Sequence, residues 1–241
     1  MAWKRPHDVP VGIVWSRFKG KDRDGVPGLM YQIRDMDESY KEVCIDMLCD
    51  TFKNDDPLSV ALGGRDDQES INSARAYWSK YIDQKMSIAC FTEVDGEPKE
   101  LIGFNLLVVL RNYDDEEMEL PEGEVLRKIL KTITVAENLV DVFEFYGIDT
   151  YLSSCGMTVL PPYRGQNIGA RLLEVREKIC KRFGIKATCT TFTAISSQVL
   201  AAKCNFEVLA TFDYSDMLEH GVDLTNCKSV CAKIMGKKYI E

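Results

Sequence analysis

The stretch Tyr151-Leu-Ser-Ser-Cys-Gly-Met-Thr-Val-Leu-Pro-Pro-Tyr-Arg-Gly-Gln-Asn-Ile-Gly-Ala-Arg-Leu-Leu173 decides the fold. Leu152 to Val159 reads as a strand, Pro161-Pro162 breaks it, and a small-residue loop leads into a helix. The helix is predicted from Leu172, Val175, Arg176, Ile179 and Phe183, which are spaced to share one face. Gly165 and Gly169 let main chain approach a ligand without Cβ obstruction, and a helix start presents N–H groups with no partner in the helix. Such a turn is a cradle for a diphosphate. The alternative is a plain strand–turn–helix crossover with glycines for packing. A nucleoside-triphosphate loop is disfavoured, because no Gly-Lys-Ser/Thr follows.

The 241 residues suffice for one large domain, and an apolar share of 45% is that of an ordinary globular chain. No apolar run has membrane-spanning length, and the start Met1-Ala-Trp-Lys-Arg-Pro lacks the apolar stretch of a secretory signal. Nine cysteines without Cys-x-x-Cys spacing read as reduced, mostly buried thiols of a cytosolic protein. With His7 and His220 as the only histidines, neither a metal site nor a histidine triad is expected. A net charge of −8 argues against nucleic acid and favours a cationic partner. A monomer with no membrane partner is expected.

Outward from the central stretch, residues 1–28 read as an extra polar segment with one strand, Val11 to Phe18, and an exposed turn from Gly20 to Gly25. Met30 to Arg34 is a strand. Ser39-x-x-Glu42 has the form of a capping box, before a helix whose buried stripe is Tyr40, Val43, Cys44, Met47, Leu48 and Phe52. That helix stops at Asn54-Asp55-Asp56-Pro57. A second helix spans Ile71 to Tyr81. Ser87 to Val94 and Leu101 to Leu110 form a hairpin about Asp95-Gly96-Glu97-Pro98, and the apolar second strand belongs in the sheet centre. The acidic run from Asp114 to Glu124 reads as solvated surface. Val125 to Tyr146 is one helix, Ile185 to Phe192 a strand, Ser196 to Lys203 a short helix, and Glu207 to Tyr214 and Lys228 to Met235 the last strands. No repeat or linker divides the chain, so a single α/β domain over 1–241 is expected, with a parallel strand–helix–strand crossover at its centre.

The central stretch resembles the cofactor motif of the GNAT superfamily of acetyl-CoA-dependent N-acetyltransferases, Arg/Gln-x-x-Gly-x-Gly/Ala. It is matched by Arg164, Asn167 and Gly169, with Asn167 in place of the middle glycine. Asn tolerates positive φ better than other non-glycine residues, so the turn is expected to survive. The resemblance implies a mixed central sheet flanked by helices, in which the parallel strands Leu152–Val159 and Ile185–Phe192 splay apart to admit the pantetheine arm. It implies cofactor contacts from Met157, Thr158, Val159, Arg164, Gly165, Gln166, Asn167, Ile168, Gly169 and Ala170. An oxyanion would be held by an N–H of residues 157–159.

Three further stretches resemble the insect arylalkylamine N-acetyltransferases: Phe52-Lys-Asn-Asp-Asp-Pro-Leu58, Thr193-Ala-Ile-Ser-Ser197 with Asn205-Phe206, and Phe212-Asp213-Tyr214. The family's catalytic Glu falls on Asp56, and its two serines fall on Thr193 and Ser197. Many GNAT enzymes protonate the leaving thiolate with a Tyr at the position of Ala201, so Ser197, one turn earlier, takes that role here. The implied reaction is direct acetylation of a small primary amine, with Asp56 as base and Asp55 as its nearest competitor. For the amine the resemblance points to Phe52, Asp55, Phe212 and Tyr214. Acetylation of agmatine or polyamines, acetylation of protein amines, and a non-catalytic acetyl-CoA-binding module are the alternatives. An acetyl-cysteine route is disfavoured, since no histidine flanks any of the cysteines to activate it.

Overall fold

The computed structural model describes residues 3–23, 25–113 and 121–240. Most of the acidic run, including Asp114, Asp115, Glu116, Glu117 and Glu119, therefore lies outside the described residues. Eight strands form one sheet: β1 (Val14–Lys19), β2 (Met30–Asp35), β3 (Ile88–Val94), β4 (Glu97–Arg111), β5 (Thr150–Val159), β6 (Ala187–Phe192), β7 (Glu207–Asp213) and β8 (Cys231–Lys238). Their order is β1-β2-β3-β4-β5-β6-β8-β7, antiparallel throughout except where β5 and β6 run parallel. The α/β fold class read from the sequence is the one observed.

Helices α1 (Lys41–Asn54), α2 (Pro57–Ala61), α3 (Gln68–Ile82), α4 (Glu124–Glu137) and α5 (Val142–Tyr146) contribute to the core on one sheet face. Helix α6 (Ile168–Phe183) covers the other face, and α7 (Ile195–Lys203) packs beside it. Burial explains the placement of β4. Ile102, Phe104, Leu106 and Leu107 are fully buried, as a strand covered on both faces requires. The β3–β4 hairpin closes through Asp95 and Gly96 alone, at φ 53° and 83°, the positive pair that a two-residue turn needs.

Several expectations need correction. Ser39 does not start α1 with a capping box. Asp37 takes the Ser39 N–H and hydroxyl (2.9 and 2.6 Å), so a 3-10 turn over Glu38–Tyr40 precedes the helix. The buried stripe of α1 is Cys44, Ile45, Leu48, Cys49 and Phe52, which leaves Val43 exposed. Val125 to Tyr146 is two helices, because Asp141 accepts from the N–H groups of Phe143 and Glu144 and begins α5 afresh. The final strand starts three residues later than expected, and a 3-10 turn over Tyr214–His220 went unread.

The feature that positions the site is the fork between β5 and β6. They pair only at Tyr151↔Ala187 and Leu152↔Thr188, then separate. The N-terminal segment is fixed to the same body: Arg5 pairs with buried Asp35 at 2.8 Å, and Trp15 donates to the other oxygen of that carboxylate at 2.7 Å.

Candidate active site

The loop between β5 and α6 has the conformation its sequence demands. Gly165 sits at φ 83° and Asn167 at φ 64°, so Asn does take the left-handed position of the missing glycine. Asn167 is the cap residue of α6, but its side chain makes no capping bond. The first-turn N–H groups of Ile168, Gly169 and Ala170 thus lack the usual side-chain acceptor, which suits an anion. Ile168 itself is buried in the core and offers main chain only. A Cβ on Gly169 would lie 2.9 Å from Leu200 Cδ2, so this glycine also lets α7 approach α6. Arg164 donates through Nε to the Val159 carbonyl (2.9 Å) and through Nη2 to Asp55 (2.6 Å).

Along β5, hydrogen-bonded and non-bonded pairs alternate against antiparallel β4. Leu160 N–H bonds the Ile102 carbonyl at 2.8 Å, which directs the Thr158 main chain to Phe104 and turns the N–H groups of Met157 and Val159 toward the fork. Of the three β5 residues expected to meet the cofactor, Thr158 is therefore committed to the sheet. Its hydroxyl lies 3.0 Å from that of Thr51. A strand edge facing a gap, continued by a positive-φ loop and an uncapped helix start, fits an extended pantetheine arm ending in a diphosphate.

Across the mouth of the fork, a cavity of about 350 Å³ is walled by Asp55, Pro57 and Ala61 on one side and Ala194, Ser196 and Lys228 on the other. The segments bearing Asp56 and Ser197 thus face each other, although neither side chain lines this cavity. Asp56 accepts from the Ser59 N–H at 2.7 Å and caps α2, so it starts a helix rather than only ending one. Its carboxyl is hemmed in by protein, and the loss of water pushes its pKa up to about 6 against the bonds from Ser59 and Leu58. Ser197 donates to the Ala194 carbonyl at 2.8 Å and keeps its lone pairs free to accept. The Thr193 carbonyl accepts from Tyr214 Oη at 2.9 Å, and burial above all, with the nearby Asp56 charge adding to it, raises that phenol. Ala201 is fully buried. Burial pushes the Cys155 thiol, beside the fork, up to about 12, which leaves no thiolate nucleophile at neutral pH.

The expected amine-contacting set is corrected. Phe52, Phe212 and Tyr214 are buried core side chains; Phe52 stacks edge-on to Trp78 at 6.2 Å. Asp55 is exposed and tied to Arg164. A second cavity, of about 340 Å³, lies at the fork on the α4–α5 face, lined by Glu137, Phe143, Tyr151, Ser153, Cys189 and Thr191 among others. Phe143 and Tyr151 stack there with centroids 5.0 Å apart. Glu137 reaches solvent through the cavity, yet protein surrounds its carboxyl closely enough to raise its pKa, opposed by the 2.8 Å bond from Thr191 Oγ1. These residues were missed because the α4–α5 region reads as one amphipathic helix; only the break at Asp141 turns Glu137 and Phe143 to a common cavity.

A fork of parallel strands with a phosphate-cradling helix start defines an acyltransferase of the coenzyme-A-binding kind. The chain matches the acetyltransferase (GNAT) family model over residues 66–206, more than half its length, and it belongs to that family. A comparison with curated protein sequences gave no match. Among solved structures it is similar to a yellow fever mosquito (Aedes aegypti) protein put forward as arylalkylamine N-acetyltransferase 7. The identity is 28% and the TM-score 0.88, over 98% of this chain and 99% of that one. It shares its fold with Aedes aegypti arylalkylamine N-acetyltransferase 2, at 20% identity and TM-score 0.73 over 87% and 99% of the two chains. It also shares it with a Drosophila melanogaster polyamine N-acetyltransferase that forms N-acetylagmatine, at 14% identity and TM-score 0.67 over 86% and 99%. Among the described residues no helix is long and apolar enough to cross a membrane.

The Asp56 carboxyl gives a stability prediction. Its pKa is raised on folding from 3.8 to about 6, so the native state binds the proton more tightly than the unfolded chain. Stability is therefore lost as pH rises from about 4 to about 6, and the penalty is complete above that. Asp56→Asn keeps a good cap without the charge. Urea unfolding should show the variant gaining on wild type by on the order of 2 kcal/mol between pH 4 and pH 7.5, allowing for solvent at the half-buried site. A gap independent of pH would show that Asp56 carries no raised pKa.

Proposed function

We propose that this chain is an acetyl-CoA-dependent N-acetyltransferase of small primary amines, foremost arylalkylamines of the dopamine, tyramine and tryptamine type. The observation that carries the proposal is the β5–β6 fork, with the Met157 and Val159 N–H groups directed into it and the uncapped start of α6 at its end. The main chain of residues 164–170 would hold the diphosphate, and the strand edge at 157 and 159 the pantetheine arm. Acetyl-CoA, as co-substrate, supplies the acyl group. We read 1–241 as one catalytic domain, since a single sheet runs from Val14 to Lys238. Nine free cysteines, most of them buried, support a reducing, cytosolic setting for a monomeric enzyme.

Asp56 is the proton acceptor in this reading. An alkylammonium of pKa about 10 costs roughly 4 kcal/mol to deprotonate at pH 7. A carboxyl moved up to about 6 is still ionised there and is a better base than an ordinary aspartate. Its bond to the Ser59 N–H holds it in place, and a water relay suits its short side chain. The amine nitrogen gives one proton to Asp56 and forms the new bond to the acyl carbon. The carbon–sulfur bond breaks, and Ser197, at the start of α7, turns its hydroxyl from the Ala194 carbonyl and relays the second nitrogen proton to the departing sulfur. The Met157 or Val159 N–H stabilises the carbonyl oxygen as charge develops on it. Phe143 and Tyr151, rather than the expected Phe52, Phe212 and Tyr214, offer ring surface to an arene.

One observation favours a second reading, in which the acceptor carries another cation, as agmatine or a diamine does. Glu137 faces the second cavity beside those rings, and a carboxylate with aromatic neighbours recognises a group that stays charged.

Thiol release from acetyl-CoA should be stimulated by tryptamine, tyramine or dopamine. Asp56→Ala should lower kcat/KM at least about tenfold and abolish an acid limb near pH 6. No turnover with any amine would remove the enzymatic reading and leave a cofactor-binding module. The acceptor classes separate through Glu137→Gln. If agmatine, putrescine or spermidine is the substrate, KM for it should rise about tenfold or more while kcat changes little. Tyramine and tryptamine should be affected less than threefold. Equal effects on both classes would exclude Glu137 as a counter-ion to a second cation.

A further inference from the structure

Residues 20–23 and 25–28 lie against the cofactor loop, in a segment where the sequence reads as an exposed turn from Gly20 to Gly25. Arg23 Nη2 donates to the Arg164 carbonyl at 2.9 Å, and the Lys21 N–H donates to Gln166 Oε1 at 2.7 Å. A Cβ on Gly165 would come within 2.4 Å of Arg23 Nη2. The turn is internally braced. Arg23 and Val26 exchange main-chain bonds at 3.0 and 2.8 Å, and Asp22 accepts from the Gly28 N–H at 2.8 Å. Gly20 N–H bonds the Leu29 carbonyl at 2.8 Å, which joins the turn to β1 and β2.

The charge distribution gives this contact a purpose. The chain as a whole is at −8, yet Lys19, Lys21, Arg23, Arg164 and Arg171 gather around this loop. Among the described residues, three nearby carboxylates are already used: Asp22 pairs with Lys19, Asp55 with Arg164, and Glu174 with Arg171. No ion pair joins Arg23 to a described carboxylate. An arginine fixed by one nitrogen to the rim of a main-chain phosphate cradle has its remaining donors available for a phosphate oxygen.

We propose, resting on the acetyl-CoA reading above, that Arg23 belongs to the cofactor site and binds a phosphate of the bound acetyl-CoA. Arg23 thus brings to the cradle a cation from the opposite end of the chain. Gly165 suits its positive φ, and a Cβ there would displace the Arg23 guanidinium from its seat.

The test compares donors with and without phosphates. Calorimetric titration of wild type, Arg23→Gln and Arg23→Lys with CoA should show affinity lowered about tenfold in Arg23→Gln and partly restored in Arg23→Lys. The deficit should shrink as salt is raised. The ratio of kcat/KM for acetyl-CoA to that for S-acetyl-N-acetylcysteamine, a thioester without phosphates, should fall about tenfold in Arg23→Gln. Unchanged CoA affinity in Arg23→Gln, or an equal loss with both donors, would overturn the assignment; the latter would mark Arg23 as a brace for the loop. Failure of wild type itself to bind CoA would instead remove the acetyl-CoA reading on which the assignment rests.

Discussion

A buried guanidinium holds the fork open. Arg176 of α6 is 1% exposed and, among the described residues, hydrogen-bonds no carboxylate. It donates to Asn105 Oδ1 at 2.9 and 3.2 Å, to Thr190 Oγ1 at 2.9 Å and to Thr188 Oγ1 at 3.3 Å. Asn105 in turn donates to Ser154 Oγ and the Gly156 carbonyl of β5, and Thr188 donates to the Leu152 carbonyl. One side chain thus links β4, β5 and β6 around the place where β5 and β6 stop pairing. Separated strands leave polar edges that cannot be left dry, and a chain of neutral oxygens around a delocalised cation satisfies part of that demand. Burial pulls the Arg176 pKa down to about 10, which keeps the cation charged at neutral pH.

Both halves of the site depend on that opening. With β5 turned away from β6, the edge groups at Met157 and Val159 face the gap, and the chain leaves β5 at Leu160 into the positive-φ turn that starts α6. The α1–α2 junction then lies opposite the start of α7, with Asp55 bonded to Arg164 across the mouth. That pair is about half exposed on both sides, so its contribution to stability is small. Its consequence is geometric: it ties the segment carrying Asp56 to the loop proposed to take the diphosphate.

The conformation of the proposed cofactor loop was legible in the sequence because it is local. Arg164 to Ala170 are contiguous, and their conformation follows from φ preferences at Gly165 and Asn167. The cavity proposed for the acceptor was not, because it is assembled from α4, α5, β5 and β6. The resemblance pointed to Phe52 and Phe212 for the amine, but the helical spacing already set Phe52 on a buried stripe, and both side chains lie in the core. Glu137 carried no signal in the sequence; the Asp141 cap and the β6 hydroxyl of Thr191 give it a setting. Arg176 was placed correctly on the buried face of α6, yet a spacing rule that sorts residues by face cannot say which oxygens a buried arginine will meet. Lys21 and Arg23 lie about 140 residues from the loop they touch, which no local pattern records.

Amide hydrogen exchange with and without saturating CoA tests the central claim, that β5 main chain in the fork and the following loop hold the cofactor. The account predicts slowed exchange at Met157, Val159 and across residues 165–170, with Thr158 and Leu160, already bonded to β4, little changed. Unaltered exchange at Met157 and Val159, with protection appearing elsewhere, would contradict it.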